Sequence, residues 1–315
     1  MSWTWIALWT ACAPREVDEV EVVDPTVQGS FTVERIDGIT LDLGDRGGGF
    51  VSTVPALVYV PADADGPVPV VVWSHGFVID PREYYTTLVH LASWGIAVVA
   101  PTWDSGFAAS RTHAGLATDL RAALDALQQT PVEAGVTFAL DRFGAGGHSR
   151  GGKQSLLAAV SEPRIVASFN LDPVDALPPF TEVDPAEYPS VAPELAGGIT
   201  IPVGMIGAGR AAEGEFPCAP PEDGFQAYFD AIGSDVWLGV LPTGGHNDFV
   251  DACADGEGGF ACATCAPGED PVAARALAAG MMTAFYLKHL SDDARFDGWL
   301  DGELARERGL DVRLK

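Results

Sequence analysis

A glycine-flanked serine near the middle of the chain constrains its fold most. Gly147-His148-Ser149-Arg150-Gly151 reads G-x-S-x-G. This pattern is typical of a very sharp turn between a strand and a helix, with room for almost no side chain two positions before and after the serine. Residues 141–146 are largely uncharged, like a central strand, and residues 152–160 contain helix formers and stop before Pro163. The sequence therefore predicts strand, turn and helix around this serine. The alternative is an ordinary glycine-rich turn.

Strand-like and helix-like segments alternate along the rest of the chain. Segments 29–43 and 50–60 alternate in hydrophobicity and are predicted to be antiparallel edge strands, and the apolar run 68–74 a buried strand. The later segments predicted in chain order are helix 80–95, strand 96–101, helix 113–129, strand 165–171, a Pro-rich excursion 173–198 after the sixth strand, strand 199–206, helix 224–232, strand 236–241 and helix 271–290. This order predicts an α/β protein with a mostly parallel central sheet and helices on both faces.

Length and charge limit the domain organisation and the partners. The chain has 315 residues without a low-complexity linker in its middle, so we expect a single domain over residues 29–315. It carries 44 acidic and 18 basic residues, a net charge of −26. Such a charge disfavours nucleic acids and anionic lipids as partners. It is typical of a soluble, non-cytosolic enzyme, and halophilic adaptation gives a similar balance.

The first 28 residues resemble a shortened bacterial lipoprotein signal followed by a tether. Residues 1–11 carry no charge and are rich in apolar and aromatic side chains, Cys12 follows, and an acidic stretch runs from Glu16 to Pro25. In such a signal Cys12 would carry the lipid, and residues 1–11 are too short to span a bilayer. We therefore predict export, with a lipid anchor at Cys12 in the cell envelope or an extracellular location. The alternative is an ordinary chain start.

Four further cysteines indicate disulfides. They are Cys218, Cys253, Cys262 and Cys265. An even number in an exported chain predicts two disulfides, with three pairings open. A zinc site at Cys262-Ala263-Thr264-Cys265 is the weaker interpretation, because the other two cysteines form no second C-x-x-C pair.

The acidic loop around these cysteines offers a possible metal site. Its carboxylates are Asp248, Asp251, Asp255 and Glu257. Their spacing does not match that of an EF-hand loop, so solvated carboxylates are favoured over a calcium site. We expect disulfides, rather than an ion, to hold the loop.

Serine chemistry requires a histidine base and a carboxylate that orients it. Of the six histidines, His246 lies in a glycine-containing loop after the strand predicted at 236–241, and this loop can bend over Ser149. His148 adjoins the serine, but adjacent residues at a tight turn point apart. His75 directly follows the strand predicted at 68–74 and suits a structural role, or a role in a loop that stabilises the oxyanion. The remaining histidines lie in predicted helices: His90, His113 and His289.

The carboxylate is expected after the strand at 165–171, which ends directly on Asp172. The usual place is one strand later, but the strand at 199–206 is followed by no carboxylate until Glu213. We therefore predict that Asp172 orients His246. Asp175 is the close competitor, and an ordinary turn or cap aspartate is the alternative.

Two backbone N–H groups are predicted to form an oxyanion hole. One belongs to Arg150, directly after the serine, and the other to Phe77, which follows the strand at 68–74. The Phe77 ring would then line a substrate pocket, with Trp103 at the next strand end as a second wall. Core packing is the alternative for both rings.

Four stretches resemble the chlorophyllase branch of the α/β-hydrolases. They are residues 147–153 (GHSRGGK), 171–175 (LDPVD), 217–220 (PCAP) and 245–248 (GHND), and their order and spacing match over about residues 55–290. The family hydrolyses the phytyl ester of chlorophyll. Its serine, D-P-V aspartate and G-H histidine form the triad, which implies Ser149, Asp172 and His246 here. The serine turn is also similar to that of bacterial polyester and lipid esterases, whose acid usually lies one strand later.

These observations predict an α/β-hydrolase fold and a serine carboxylic-ester hydrolase that acts through an acyl-enzyme on a hydrophobic ester. No cofactor or metal is implied. The alternative within enzymes is a lipase or polyesterase of broad specificity. The alternative from another class is a non-catalytic surface lipoprotein that binds a ligand.

Overall fold

The predicted strands pair into one mixed sheet. A computed structural model describes residues 23–44, 53–103, 111–129, 136–177, 183–215, 217–233 and 235–315. The strands in these ranges are β1 (Val33–Asp42), β2 (Thr53–Pro61), β3 (Pro67–Ser74), β4 (Ala97–Pro101), β5 (Thr137–His148), β6 (Ile165–Leu171), β7 (Val203–Ala208), β8 (Val236–Leu241) and β9 (Asp311–Leu314). Their order across the sheet is β1-β2-β4-β3-β5-β6-β7-β8-β9. The pairs β1–β2, β2–β4 and β8–β9 are antiparallel, and the strands from β4 to β8 are parallel neighbours.

Helices cover both faces of this sheet. Those in the described residues are α1 (Tyr85–Ser93), α2 (His113–Gln129), α3 (Arg150–Ala159), α4 (Phe225–Ala231), α5 (Asp251–Ala254), α6 (Phe260–Ala263), α7 (Pro271–Ser291), α8 (Asp297–Leu300) and α9 (Glu303–Glu307). Short 3₁₀ turns lie at Pro81–Tyr84, Ala196–Gly198, His246–Phe249 and Ala294–Phe296, and a π turn at Val191–Leu195.

Successive side chains of the strands point to opposite faces of the sheet, and each face carries one apolar core. Val70 and Val72 of β3 pack in the core that contains α2, α3 and α4. Val71 and Trp73, whose side chains point to the opposite face, pack in the core that contains α1 and α7. Because the central strands are buried on both faces, they read in the sequence as continuous apolar runs. The predicted mostly parallel sheet with helices on both faces is confirmed.

Two sequence predictions about strands need correction. Segment 50–60 was expected to form an edge strand, but β2 lies between β1 and β4. Its first half alternates between exposed and buried residues, whereas its second half is buried on both faces, and the alternation alone suggested an edge. The strand expected at 199–206 begins only at Val203, because Pro202 before it has no N–H for the ladder.

The first described residues pack against the carboxyl end of α1. His90 Nε2–H donates to the Pro25 carbonyl oxygen (2.8 Å), and Trp94 Nε1–H donates to that of Val27 (3.0 Å). Residues 1–22, with the predicted signal and Cys12, lie outside the described residues. The boundary between tether and domain after residue 28 stays a prediction. In the part of the chain that the structure describes, no helix is long and apolar enough to cross a membrane.

The four cysteines form two disulfides, Cys218–Cys265 and Cys253–Cys262. This confirms the expected number and selects one of the three pairings. Cys262 and Cys265 belong to different disulfides, so the C-x-x-C segment is not a zinc site. Among the described residues, no group of three or more His, Cys, Asp or Glu side chains is arranged to hold a metal ion.

Candidate active site

The backbone at Ser149 forms the predicted sharp turn between β5 and α3. Ser149 has φ 56° and ψ −124°, a strained combination for a residue with a side chain. A Cβ at Gly147 would lie 2.4 Å from the Gly151 carbonyl carbon, and a Cβ at Gly151 would lie 2.0 Å from the Ser74 carbonyl oxygen. Both positions therefore require glycine. The Ser149 N–H donates to the Leu171 carbonyl oxygen of β6 (3.0 Å), which fixes the turn against the neighbouring strand.

Three predicted residues come together at the carboxyl ends of the parallel strands. His246 Nε2 lies 3.0 Å from Ser149 Oγ, and His246 Nδ1 lies 2.6 Å from Asp172 Oδ2. Asp172 is fully buried, His246 is buried and Ser149 is half-buried. A carboxylate only accepts hydrogen bonds, so His246 Nδ1–H donates to Asp172. The lone pair of Nε2 then faces the serine hydroxyl.

The sheet order explains how these residues meet. Ser149 follows β5 and Asp172 follows β6, and the two strands pair with His148 opposite Leu171. His246 follows β8, so its loop crosses the end of β7 to reach both. The second oxygen of Asp172 accepts the N–H of Ala208, the last residue of β7, at 2.9 Å.

The competing carboxylates lie in other interactions. Asp175 forms a buried ion pair with Lys153 Nζ (2.8 Å). It also accepts the N–H groups of Val191 (2.9 Å) and Ala192 (2.8 Å), and it thereby holds the Pro-rich segment against α3. Glu213 pairs with Arg210 at the surface. Asp172 is thus the predicted carboxylate that contacts His246.

The two residues predicted to supply oxyanion donors lie beside each other. The Arg150 guanidinium lies 5.3 Å from the centroid of the half-buried Phe77 ring, within range of a cation–π contact. Arg150 begins α3, and the first N–H groups of a helix point out of its amino end. Trp103 is 3 % exposed, packs in the core with α2 and α3, and donates from Nε1–H to Ser74 Oγ (3.3 Å). These are the contacts of a core residue, and its role as a pocket wall stays a prediction.

The other buried histidines near the site do not face Ser149. His148 Nδ1 lies 2.8 Å from Tyr84 Oη, and its Nε2 lies 2.9 Å from the His246 carbonyl oxygen. Burial and the neighbouring His246 hold the pKa of His148 well below its usual value. Burial and the charge of Arg150 lower the pKa of His75 to about 4, so its ring is neutral. The sequence predicts that His148 points away from the serine and that Tyr84 lies in a helix, so neither is a predicted site residue.

The loop after His246 is tied to the body of the protein. Asp248 accepts the N–H groups of Gly245 (2.7 Å) and Gly268 (3.1 Å), and burial raises its pKa. Asn247 Nδ2–H donates to Cys265 Sγ (3.2 Å), whose disulfide with Cys218 connects the loop to the segment after β7.

Two of the acidic residues in this loop face a cation from the protein itself. Arg275 of α7 pairs with Asp251 (2.9 Å) and with Asp255 (3.1 Å). The interpretation of this loop as a calcium site therefore finds no support in the described residues.

Comparisons with known proteins agree on one family. A family model described as Chlorophyllase matches residues 29–298. Chlorophyllase-2 of Arabidopsis thaliana is 27% identical over 259 residues, which cover 76% of this chain and 78% of the relative. Chlorophyllase type 0 of Chenopodium album is 26% identical over 260 residues, with 78% and 74% covered. Chlorophyllase-1 of Arabidopsis thaliana is 29% identical over 223 residues, with 65% and 66% covered. The range matched by the family model includes Ser149, Asp172 and His246.

Proposed function

The chain belongs to the chlorophyllase family of α/β-hydrolases, and we propose that it is a serine carboxylic-ester hydrolase with Ser149, Asp172 and His246 as its triad. One observation carries the proposal. His246 lies between the Ser149 hydroxyl (3.0 Å) and the Asp172 carboxylate (2.6 Å), and Ser149 lies in the sharp turn between β5 and α3. This is the hydrogen-bonded order that an activated serine nucleophile requires.

The mechanism follows from these contacts. His246 Nε2 takes the hydroxyl proton as Ser149 Oγ attacks the ester carbonyl carbon, and Asp172 stabilises the imidazolium that forms. The backbone N–H groups of Phe77 and Arg150 hold the negative oxygen of the tetrahedral intermediate. His246 then gives the proton to the leaving alcohol, and an acyl-enzyme remains. Water attacks the acyl-enzyme with His246 again as base, which releases the acid and restores Ser149.

The proposed substrate is a hydrophobic ester, with the phytyl ester of chlorophyll as the first candidate. Relatives that carry the name chlorophyllase support this choice. The position of Asp172 after β6 also supports it, because the similar polyester and lipid esterases usually carry their acid one strand later. The products from chlorophyll would be chlorophyllide and phytol.

A hydrolysis panel tests this proposal. Chlorophyll, p-nitrophenyl esters of graded chain length and a soluble polyester are compared with the wild-type protein, Ser149→Ala and the matched control Ser155→Ala. Ser155 is a buried serine on α3 whose hydroxyl donates to the Gly151 carbonyl oxygen. We expect Ser149→Ala alone to lose turnover and labelling by a fluorophosphonate.

Each outcome of the panel has a distinct meaning. Hydrolysis of the polyester and of all chain lengths without chlorophyll would favour the broad-specificity enzyme. A wild-type protein that turns over nothing and takes no label would favour the non-catalytic binding protein.

We also propose that the protein is exported. Its two disulfides are typical of proteins that mature in oxidising compartments. A lipid anchor at Cys12 would require its sulfur, so Cys12→Ser should abolish incorporation of labelled fatty acid. Equal incorporation in the variant would exclude this anchor.

A further inference from the structure

A buried chain of hydrogen bonds connects the loops that meet at the proposed active site. The Gly76 N–H donates to Tyr84 Oη (3.0 Å), which lies 2.8 Å from His148 Nδ1, and His148 Nε2 lies 2.9 Å from the His246 carbonyl oxygen. Gly76 precedes Phe77 in the loop after β3, and His148 directly precedes Ser149. Tyr84 and His148 are 0% and 1% exposed. The chain therefore connects the oxyanion loop, the serine turn and the backbone of His246.

The ends of this chain determine the direction of each hydrogen bond. A carbonyl oxygen only accepts, so His148 Nε2 carries the proton that bonds to the His246 oxygen. The lowered pKa of His148 keeps its ring neutral, so Nδ1 accepts the hydroxyl proton of Tyr84. Tyr84 Oη in turn accepts the N–H of Gly76. Both ring nitrogens of His148 are thus occupied.

We propose that Tyr84 and His148 are positioning residues, which hold the loop that carries the Phe77 N–H in a fixed place relative to His246. This inference rests on the proposed function, because it takes the Phe77 N–H as an oxyanion donor. It adds two residues that act through the backbone around the site, and the His148 ring also packs against the ring of His246, with centroids 4.7 Å apart.

The geometry of one peptide unit explains how they act. The Phe77 N–H and the Gly76 carbonyl belong to the same trans peptide, so they point in opposite directions. His75 Nδ1 lies 2.9 Å from the Gly76 oxygen, and Tyr84 holds the Gly76 N–H. Because the groups on both sides of the Gly76 Cα are held, the direction of the Phe77 N–H is set before substrate binds. Oxyanion donors stabilise a transition state most when they need not reorient.

The side-chain packing permits a conservative test. The Tyr84 ring packs edge-on against Trp73, with ring centroids 5.5 Å apart, and Tyr84→Phe removes only the oxygen. Tyr286 provides a matched control. It is also fully buried, donates to the Ala145 carbonyl oxygen (2.9 Å) and accepts the Phe169 N–H (3.1 Å). Tyr286→Phe therefore also loses one donated and one accepted hydrogen bond, but at β5 and β6 rather than at the loop after β3.

The kinetic experiment compares Tyr84→Phe, His148→Phe, their double variant and Tyr286→Phe on a p-nitrophenyl ester. Removal of one oxyanion donor costs roughly 100- to 1,000-fold in kcat, so a misdirected donor should cost about 10- to 100-fold. We expect Tyr84→Phe to lose this much in kcat with KM within about twofold. The double variant should lose no more kcat than either single variant, because both substitutions break the same chain of hydrogen bonds. We expect Tyr286→Phe to keep the wild-type kcat per folded molecule.

Hydrogen exchange provides a readout that needs no turnover. Peptides that cover residues 75–77 should exchange faster in Tyr84→Phe than in the wild type or Tyr286→Phe. The positioning role is overturned if exchange is unchanged, if Tyr84→Phe raises KM alone, or if it loses no more kcat than Tyr286→Phe. In each of these cases the positioning role fails, but turnover by the wild type and its loss in Ser149→Ala would still support the proposed function. A wild-type protein without esterase activity would overturn the proposed function itself, and the positioning role with it.

Discussion

Replacing Asp172 by asparagine tests the role of its carboxylate with the smallest change in shape. The carboxylate accepts a hydrogen bond from His246 Nδ1 at 2.6 Å and one from the Ala208 N–H at 2.9 Å. In Asp172→Asn the amide oxygen can keep the Ala208 bond, which turns the amide NH₂ toward Nδ1. His246 then accepts at Nδ1 and carries its proton on Nε2, so it no longer accepts the proton of Ser149. We expect kcat to fall by roughly a thousandfold or more, about 4 kcal/mol in the activation barrier.

Asp175→Asn is the control that separates activity from stability. Asp175 pairs with Lys153, and both side chains are almost completely buried. Breaking such a pair on one side costs roughly 3–5 kcal/mol in the free energy of unfolding. We therefore expect a lowered melting temperature with kcat per folded molecule largely kept, the opposite of Asp172→Asn. Glu213→Gln should change neither quantity much, because Glu213 pairs with Arg210 at the surface.

The assay is steady-state hydrolysis of a p-nitrophenyl ester, with thermal unfolding of each variant followed in parallel. A larger loss of kcat in Asp175→Asn or Glu213→Gln than in Asp172→Asn would assign the acid to another residue. It would also remove the main argument for the chlorophyllase-like triad.

Three further predictions concern stability. Reduction of Cys218–Cys265, whose cysteines are 47 positions apart, should lower the free energy of unfolding by about 4 kcal/mol through chain entropy. Reduction of Cys253–Cys262, whose cysteines are 9 positions apart, should lower it by about 3 kcal/mol. Calorimetry should show a lower melting temperature and assays a lower activity, whereas EDTA should change neither. Burial lowers the pKa of His113 to about 3 in the folded protein. As the pH falls below about 6.5, His113 therefore becomes protonated in the unfolded state but not in the folded state. The free energy of unfolding then drops by up to about 1.4 kcal/mol per pH unit. Urea unfolding from pH 7 to 5 should show a shallower drop in His113→Phe, and an equal slope would contradict this cause. Gly151→Ala places a Cβ 2.0 Å from the Ser74 oxygen, so it should lower the melting temperature strongly, and a near-native value would show that the turn can relax.

Where local pattern determined the structure, the sequence was sufficient. The helix predicted at 113–129 coincides with α2, and the strands predicted at 165–171 and 236–241 coincide with β6 and β8. Each has a clear hydrophobic period or an unbroken apolar run between turn residues. The candidate site also has a local signal, because Asp172 directly ends an apolar strand and His246 lies in a glycine-containing loop.

Features that depend on distant contacts could not be predicted. The pairing of Cys218 with Cys265 requires the segment after β7 to meet the loop after β8. The edge strand β9 has four residues, and its pairing with β8 rather than its composition makes it a strand. Tyr84 and His148 are separated by 64 positions, and their hydrogen bond forms only when the 3₁₀ turn that ends at Tyr84 meets the end of β5.

The proposed acid, Asp172, lies directly after β6, and the equivalent position after β7 is a glycine. Gly209 follows β7 as Asp172 follows β6, but a Cβ at Gly209 would lie 2.4 Å from the Pro242 carbonyl oxygen. The Gly209 N–H also donates to the Leu241 carbonyl oxygen at 2.8 Å, so the end of β7 is packed directly on the end of β8. No side chain, and so no carboxylate, fits at that position. β7 instead contributes the backbone N–H of Ala208, which binds the second oxygen of Asp172 and leaves the first for His246. The close packing of β7 on β8 thus leaves no room for a carboxylate directly after β7, and the end of β7 instead holds Asp172 through the Ala208 N–H.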